Sequence, residues 1–191
     1  MKPRSRVWLL GVGLLVALSG SRAAEILDLT VERHERSYAA EVDVRFQAPV
    51  ERVRAIVMDY EHLPRLTESI REVEVLEREG NRHARVRTLS RICVLFLCKD
   101  IRQVQDIDLD DEGNLMAVTV PDESDLRYGV ARWWFWQEPQ AARMRFISEI
   151  EPAFWVPPFI GPLMIRHALE REVRRTIDNI ERLAEAGDGR D

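Results

Sequence analysis

The 191-residue chain has only two cysteines, Cys93 and Cys98, and only four histidines, His34, His62, His83 and His167. None of these histidines stands at metal-ligand spacing from a cysteine or another histidine, so no metal centre is expected. There is no G-x-S-x-G elbow, no Walker loop and no G-x-G-x-x-G turn. The usual sequence grounds for a serine nucleophile, a bound triphosphate or a dinucleotide cofactor are therefore missing, and no cofactor is expected. No internal repeat or low-complexity segment occurs. Past the N-terminus no apolar run reaches eighteen residues, so nothing there predicts a membrane-spanning helix.

What the chain does have begins at residue 1. Lys2, Arg4 and Arg6 precede an apolar stretch of twelve residues, Val7 to Leu18, and small residues follow at Ser21 and Ala23. This is the pattern of a secretory signal peptide over residues 1–23, cleaved after Ala23 or Ala24. Twelve residues span about 18 Å as a helix, short of the roughly 30 Å hydrocarbon core, which argues against a retained anchor. The expected location is outside the cytoplasm, in a bacterial periplasm, where disulfides persist. Residues 1–23 hold four of the 28 basic residues and none of the 33 acidic ones, so the remainder has 24 against 33, a formal charge of −9. That balance disfavours nucleic acid, whose phosphates it would repel, and tight docking on anionic lipid.

Turns and periods order the rest. Tyr38 to Phe46 alternates, with Ala40, Val42, Val44 and Phe46 on one face, and predicts a half-buried strand. Pro49 opens a helical stretch in which Val50, Val53 and Val57 share a face, and a second short helix carries Leu63 and Leu66 with Pro64 in its first turn. Six strands follow as three pairs: Ile70 to Leu76 with His83 to Leu89, Ile101 to Leu109 with Leu115 to Val120, and Tyr128 to Gln137 with Met144 to Ile150. Gly80-Asn81, residues 110–114 and residues 139–141 supply the turns. A long helix from Pro162 closes the chain, with Leu169, Val173, Ile177, Ile180 and Ala184 as its apolar stripe and Gly187 as its stop. Residues 24–37 read as a lead-in segment, 38–186 as one α+β domain and 187–191 as a disordered tail.

Phe46 to Leu66, "FQAPVERVRAIVMDYEHLPRL", resembles the opening of START-like domains of the SRPBCC superfamily, in its coenzyme Q-binding and polyketide cyclase-type branches. There a strand ends in an apolar-Pro-x-x-x-apolar helix, followed by Asp-Tyr-x-x-x-Pro, here Asp59, Tyr60 and Pro64. The resemblance implies a helix-grip fold, a curved seven-stranded antiparallel sheet around a long C-terminal helix, with a hydrophobic cavity between them. It is nearly silent on ligand. It also implies that Asp59-Tyr60-Glu61-His62 forms a capped turn at the surface rather than a catalytic group. Leu66, Val86, Met116 and Phe146 are candidates to line the cavity in this arrangement.

"RWWFWQ", Arg132 to Gln137, is aromatic on both faces of a strand. Trp134 and Trp136 are expected to line the cavity and stack on a flat or long apolar ligand, with core packing the alternative. Arg132 would then point the same way, although reaching water from the sheet edge is the simpler reading for it. The connector "EPAFWVPPFIGPLMI" holds Trp155, Phe159 and Met164 among four prolines and reads as a wall or gate at one mouth of the cavity.

The family layout places a strand-to-strand link near 90–98, and one strand from His83 to Leu109 would be far too long. If residues 94–97 reverse the chain, Cys93 and Cys98 can bond; in one extended strand five steps cover about 16 Å and they cannot. Ser90-Arg91 is the competing turn, and an oxidising compartment favours the bond. The tip Val94, Leu95, Phe96 and Leu97 is then a cavity lid, a finger touching a membrane or partner, or a segment folded onto the core. The sequence thus predicts an exported carrier of a hydrophobic small molecule, a lipid or isoprenoid. A cyclase/hydratase-type enzyme using the same cavity, and an interaction module with a filled cavity, are the alternatives.

Overall fold

The alternating patterns pair into one antiparallel sheet with two helices. The computed structural model describes residues 23–94, 97–156 and 162–187. Its elements are β1 (Glu25–His34), β2 (Ser37–Phe46), α1 (Val50–Val57), a 3-10 turn (Tyr60–Arg65), β3 (Ile70–Glu79), β4 (His83–Val94), β5 (Leu97–Leu109), β6 (Leu115–Thr119), β7 (Leu126–Glu138), β8 (Ala141–Pro152) and α2 (Pro162–Ala186). The strands lie in the order β1-β2-β8-β7-β6-β5-β4-β3.

The sheet has eight strands where the sequence predicts seven, because the lead-in segment forms the edge strand β1. Its register on β2 slips between Ile26 and Asp28, and Leu27 is turned out to solvent. The slip puts the inward residues Ile26 and Leu29 three apart instead of two, which hides the strand from a period-2 reading. The second short helix is a 3-10 turn, and Asp59 makes no capping bond there. Its carboxylate instead meets His62 Nδ1 at 2.7 Å on the surface.

α1 begins at a tertiary cap: Gln137 of β7 accepts from Val50 N at 2.9 Å, while its amide donates to Glu138 O and Ala141 O. One side chain therefore ties the β7–β8 turn to the helix start, where backbone donors lack internal partners. Two further side chains pin α2. On one flank Glu181 accepts from Gln47 N, just past β2. On the other, Asn179 donates to Leu66 O, just before β3. α2 is thus held between the β2 side and the β3 side of the sheet. The densest packing lies at this end. Phe46, Val44, Val53, Ala142, Met144, Phe135, Ile177, Ile180 and Ala184 belong to one buried cluster.

β4 and β5 form a hairpin whose register runs unbroken from His83↔Asp108 to Val94↔Leu97, so no turn occurs at Ser90-Arg91. Cys93 and Cys98 stand directly opposite each other near its tip and are joined as a disulfide, with Cα atoms 4.0 Å apart. Leu95, Phe96 and the side chain of Val94 lie outside the described residues; Leu97 is exposed.

Candidate functional site

Directly paired residues of antiparallel strands share a face, so the register sorts every inward side chain. Val42, Phe146 and Trp133 stand abreast on β2, β8 and β7, and next to them Ala40, Ser148, Ala131 and Ala117 cross β2, β8, β7 and β6. Val42, Phe146, Trp133, Ala131 and Ala117 all pack in or against the cluster that contains Ile177 and Ile180 of α2, so this is the helix-covered face.

Filling changes along that face. Towards the C-terminal end of α2, Phe46, Phe135, Ala142 and Met144 are buried. Towards its N-terminal end, Trp133, Phe146, Ser148 and Ile150 on the same face of the sheet remain partly accessible although β7 and β8 are interior strands, while Ala131, Gly129, Thr88 and Thr119 beside them are buried. The helix shows the same grade: Ile177, Ile180 and Ala184 are buried, whereas Leu169 and Val173 of the same stripe are only half-buried. Trp133 and Phe146 meet at 5.0 Å between ring centroids, tilted by 41°.

The sheet side of this region also carries polar groups. Gln103 donates from Nε2 to Thr119 Oγ1 at 2.8 Å. Thr88 is the cross-strand neighbour of Gln103, and Gln105 that of Thr119. Gly129 is required beside them, because a Cβ there would lie 2.2 Å from Thr119 Oγ1. Two of the carboxylates on α2 have oxygens withdrawn from solvent. Glu181 is buried, and desolvation holds its carboxyl above the ordinary glutamate value despite the bonds from Gln47 N. Glu172 has its Oε1 shut off from solvent with no hydrogen-bond partner among the described residues.

The residues singled out from sequence divide between the two faces. Phe146 lies on the helix-covered face, partly accessible. Val86 shares that face, but it and Leu66 are fully packed in the core. Trp134 and Trp136 pair with Arg145 and Arg143 on the opposite face, and Trp136 is 45% exposed. The tryptophan of the cluster on the helix-covered face is Trp133, paired with Phe146, and both pack against the cluster that contains Ile177 and Ile180. Arg132 and its neighbour Met116 stand on the outer face as well, so the expected contacts of these four residues with a ligand in the cavity are corrected. Strand alternation separates Trp133 from Trp134 but does not say which side a helix covers. His83 is paired with Asp108, also on the outer face. That face is otherwise laced with ion pairs, among them Arg143–Asp43, Arg145–Glu41 and Arg85–Asp106.

At the end of the open half, the connector after β8 meets the disulfide hairpin. Lys99 of β5 lies 4.5 Å from the centroid of the Phe154 ring. Trp155 is 74% exposed, Met164 is partly buried in the first turn of α2, and Phe159 lies outside the described residues. Among the described residues no helix is long and apolar enough to cross a membrane, and no group of side chains could hold a metal ion.

Comparison with known proteins agrees with this architecture. No curated protein matches the chain in sequence. Among solved structures, a protein of Thermus thermophilus is 22% identical with a TM-score of 0.64, covering 78% of this chain and 98% of that one. A START superfamily protein of Mycobacterium smegmatis is 16% identical with a TM-score of 0.61, covering 78% and 97%. The Zhui aromatase/cyclase of Streptomyces sp. R1128 is 16% identical with a TM-score of 0.57, covering 81% and 94%. At these identities the likeness is one of fold. The family model for polyketide cyclase / dehydrase and lipid transport proteins matches residues 38–185, and the chain belongs to that family, as a START-like member of the SRPBCC superfamily.

Proposed function

We propose that the protein binds a hydrophobic small molecule, a lipid or isoprenoid, between the sheet and the N-terminal half of α2, and carries or sequesters it without covalent chemistry. The observation that carries this reading is the partial accessibility of Trp133, Phe146 and Val173, which all pack against the core between sheet and helix. The sheet contributes Thr88, Gln103, Gln105, Thr119 and Ser148 on the same face, and polar groups converging there are the feature that a cyclase/hydratase-type enzyme, the second reading, would use. The disulfide supports an oxidising compartment, and with it export and removal of residues 1–23. In this reading the hairpin tip, with Leu97 exposed beside Lys99, is where the carrier touches a membrane.

Titration with the neutral fluorophore N-phenyl-1-naphthylamine tests the binding. Saturable binding is expected, and Trp133→Ala should weaken it about ten- to hundredfold, from the roughly 1.5–3 kcal/mol of a buried aromatic. Trp134→Ala should leave it unchanged. Equal weakening by both would remove the inward face as the site. Native mass spectrometry of the exported protein would identify the natural ligand, and N-terminal sequencing should begin at Ala24 or Glu25. An intact Met1 would contradict cleavage.

A further inference from the structure

A carboxylate oxygen withheld from water is costly unless something donates to it. Among the described residues, the buried side-chain oxygen without a partner is Glu172 Oε1. Glu172 precedes Asn179 by seven residues, two turns, so both project from the same flank of α2. Asn179 reaches Leu66 O, which places that flank on the β3 side. The strands on this side, β4 and β5, contribute the polar inward residues Thr88, Gln103 and Gln105. Glu172 also belongs to the half of α2 whose apolar stripe is not fully packed, since Leu169 and Val173 flank it in sequence and are partly accessible.

We infer that Glu172 is the polar anchor of the cavity, and that the ligand is an apolar molecule carrying an uncharged hydrogen-bond donor, a hydroxyl, rather than a carboxylate or phosphate. The inference rests on the carrier reading and deepens it. A hydroxyl donating to Oε1 satisfies the orphan acceptor, whereas an anionic head group would meet a like charge in a poorly solvated site. Burial of the chain and the donor bond then act together. The bond to Oε1 discriminates against an analogue that lacks the donor.

Displacement of N-phenyl-1-naphthylamine from the full chain by decan-1-ol, its methyl ether and decanoate tests this. The wild type should bind the alcohol at least about tenfold more tightly than the ether, and more tightly than decanoate. Glu172→Leu should abolish the alcohol's advantage while leaving the ether's affinity within about twofold. Glu172→Gln, close in shape, should raise decanoate affinity, and circular dichroism melts show whether each variant is folded. Probe binding with the same alcohol-to-ether ratio in wild type and a folded Glu172→Leu would overturn the anchor and leave the carrier reading standing. Absence of any probe binding to the wild type would overturn both.

Discussion

Ile177, Ile180 and Ala184 of α2 are buried in one cluster with Phe46, Phe135 and Met144, whereas Val173 and Leu169, about one and two turns earlier on the same stripe, stay partly accessible. The helix does not cause the difference, since its residue types are alike at both ends. The sheet opposite does. Along β7 the inward residues run Phe135, Trp133, Ala131, Gly129, and along β2 they run Phe46, Val44, Val42, Ala40. On these two strands the inward side chains shrink beyond Trp133 and Val42, to Ala131, Gly129 and Ala40, on the side of the N-terminal half of α2. A single helix-on-sheet layer thus serves stability at one end and binding at the other, and substitutions should separate the two.

The largest effect is expected in the filled half. Phe46→Ala removes a fully buried ring and should cost about 3–5 kcal/mol in urea unfolding. Phe146→Ala in the open half should cost less than half of that, because its ring already borders unfilled space. Equal losses would mean that the two halves are equally packed. Gly129→Ala should cost about 1–3 kcal/mol through the contact with Thr119 Oγ1, and Thr119→Ala should recover part of it in a double-mutant cycle. Strict additivity would show that the sheet moves aside at that point.

Opening the disulfide by Cys93→Ser with Cys98→Ser should cost about 2 kcal/mol on the chain-entropy estimate for so short a loop. Identical urea midpoints for the bonded protein and the double variant would contradict that estimate. Glu181 gives a smaller, pH-dependent effect. Burial raises its carboxyl pKa, so its contribution to stability is fully present below the ordinary glutamate value and is lost as pH rises through the raised value. Glu181→Gln keeps an acceptor for Gln47 N and should flatten the fall in stability from acidic to neutral pH; an unchanged slope would place the titration elsewhere. Least of all should Trp136→Ala matter. On the exposed outer face it should change stability by no more than about 0.5 kcal/mol and leave probe binding unaltered.

Much of this layout was legible in the sequence, for identifiable reasons. Period-2 alternation from Tyr38 to Phe46, the Gly80-Asn81 turn and the stripe from Leu169 to Ala184 each report a local rule that the fold obeys. The helix-grip architecture came from a motif at Phe46–Leu66, and the disulfide from the family layout, the limit on strand length and the compartment. β1 was missed because the bulge at Leu27 breaks its alternation. The site was only partly legible. Register and face are tertiary facts: Trp133 and Trp134 are adjacent and chemically identical, and their roles separate only when Trp133 is paired with Phe146 under α2. Glu172 had no distinguishing local signal either, being one of several charges among Glu170, Arg171, Arg174 and Arg175 that read as a solvated face.

The central claim is that the space beside Val173 is the binding site and not part of the structural core. A titration of Val173→Trp with N-phenyl-1-naphthylamine, alongside the wild type, tests it most directly. The account predicts saturable binding at one site per chain in the wild type and at least tenfold weaker binding in Val173→Trp, with a melting temperature equal to or above that of the wild type because the added ring fills a void. Unweakened binding by a folded Val173→Trp, or no saturable binding by the wild type, would contradict it.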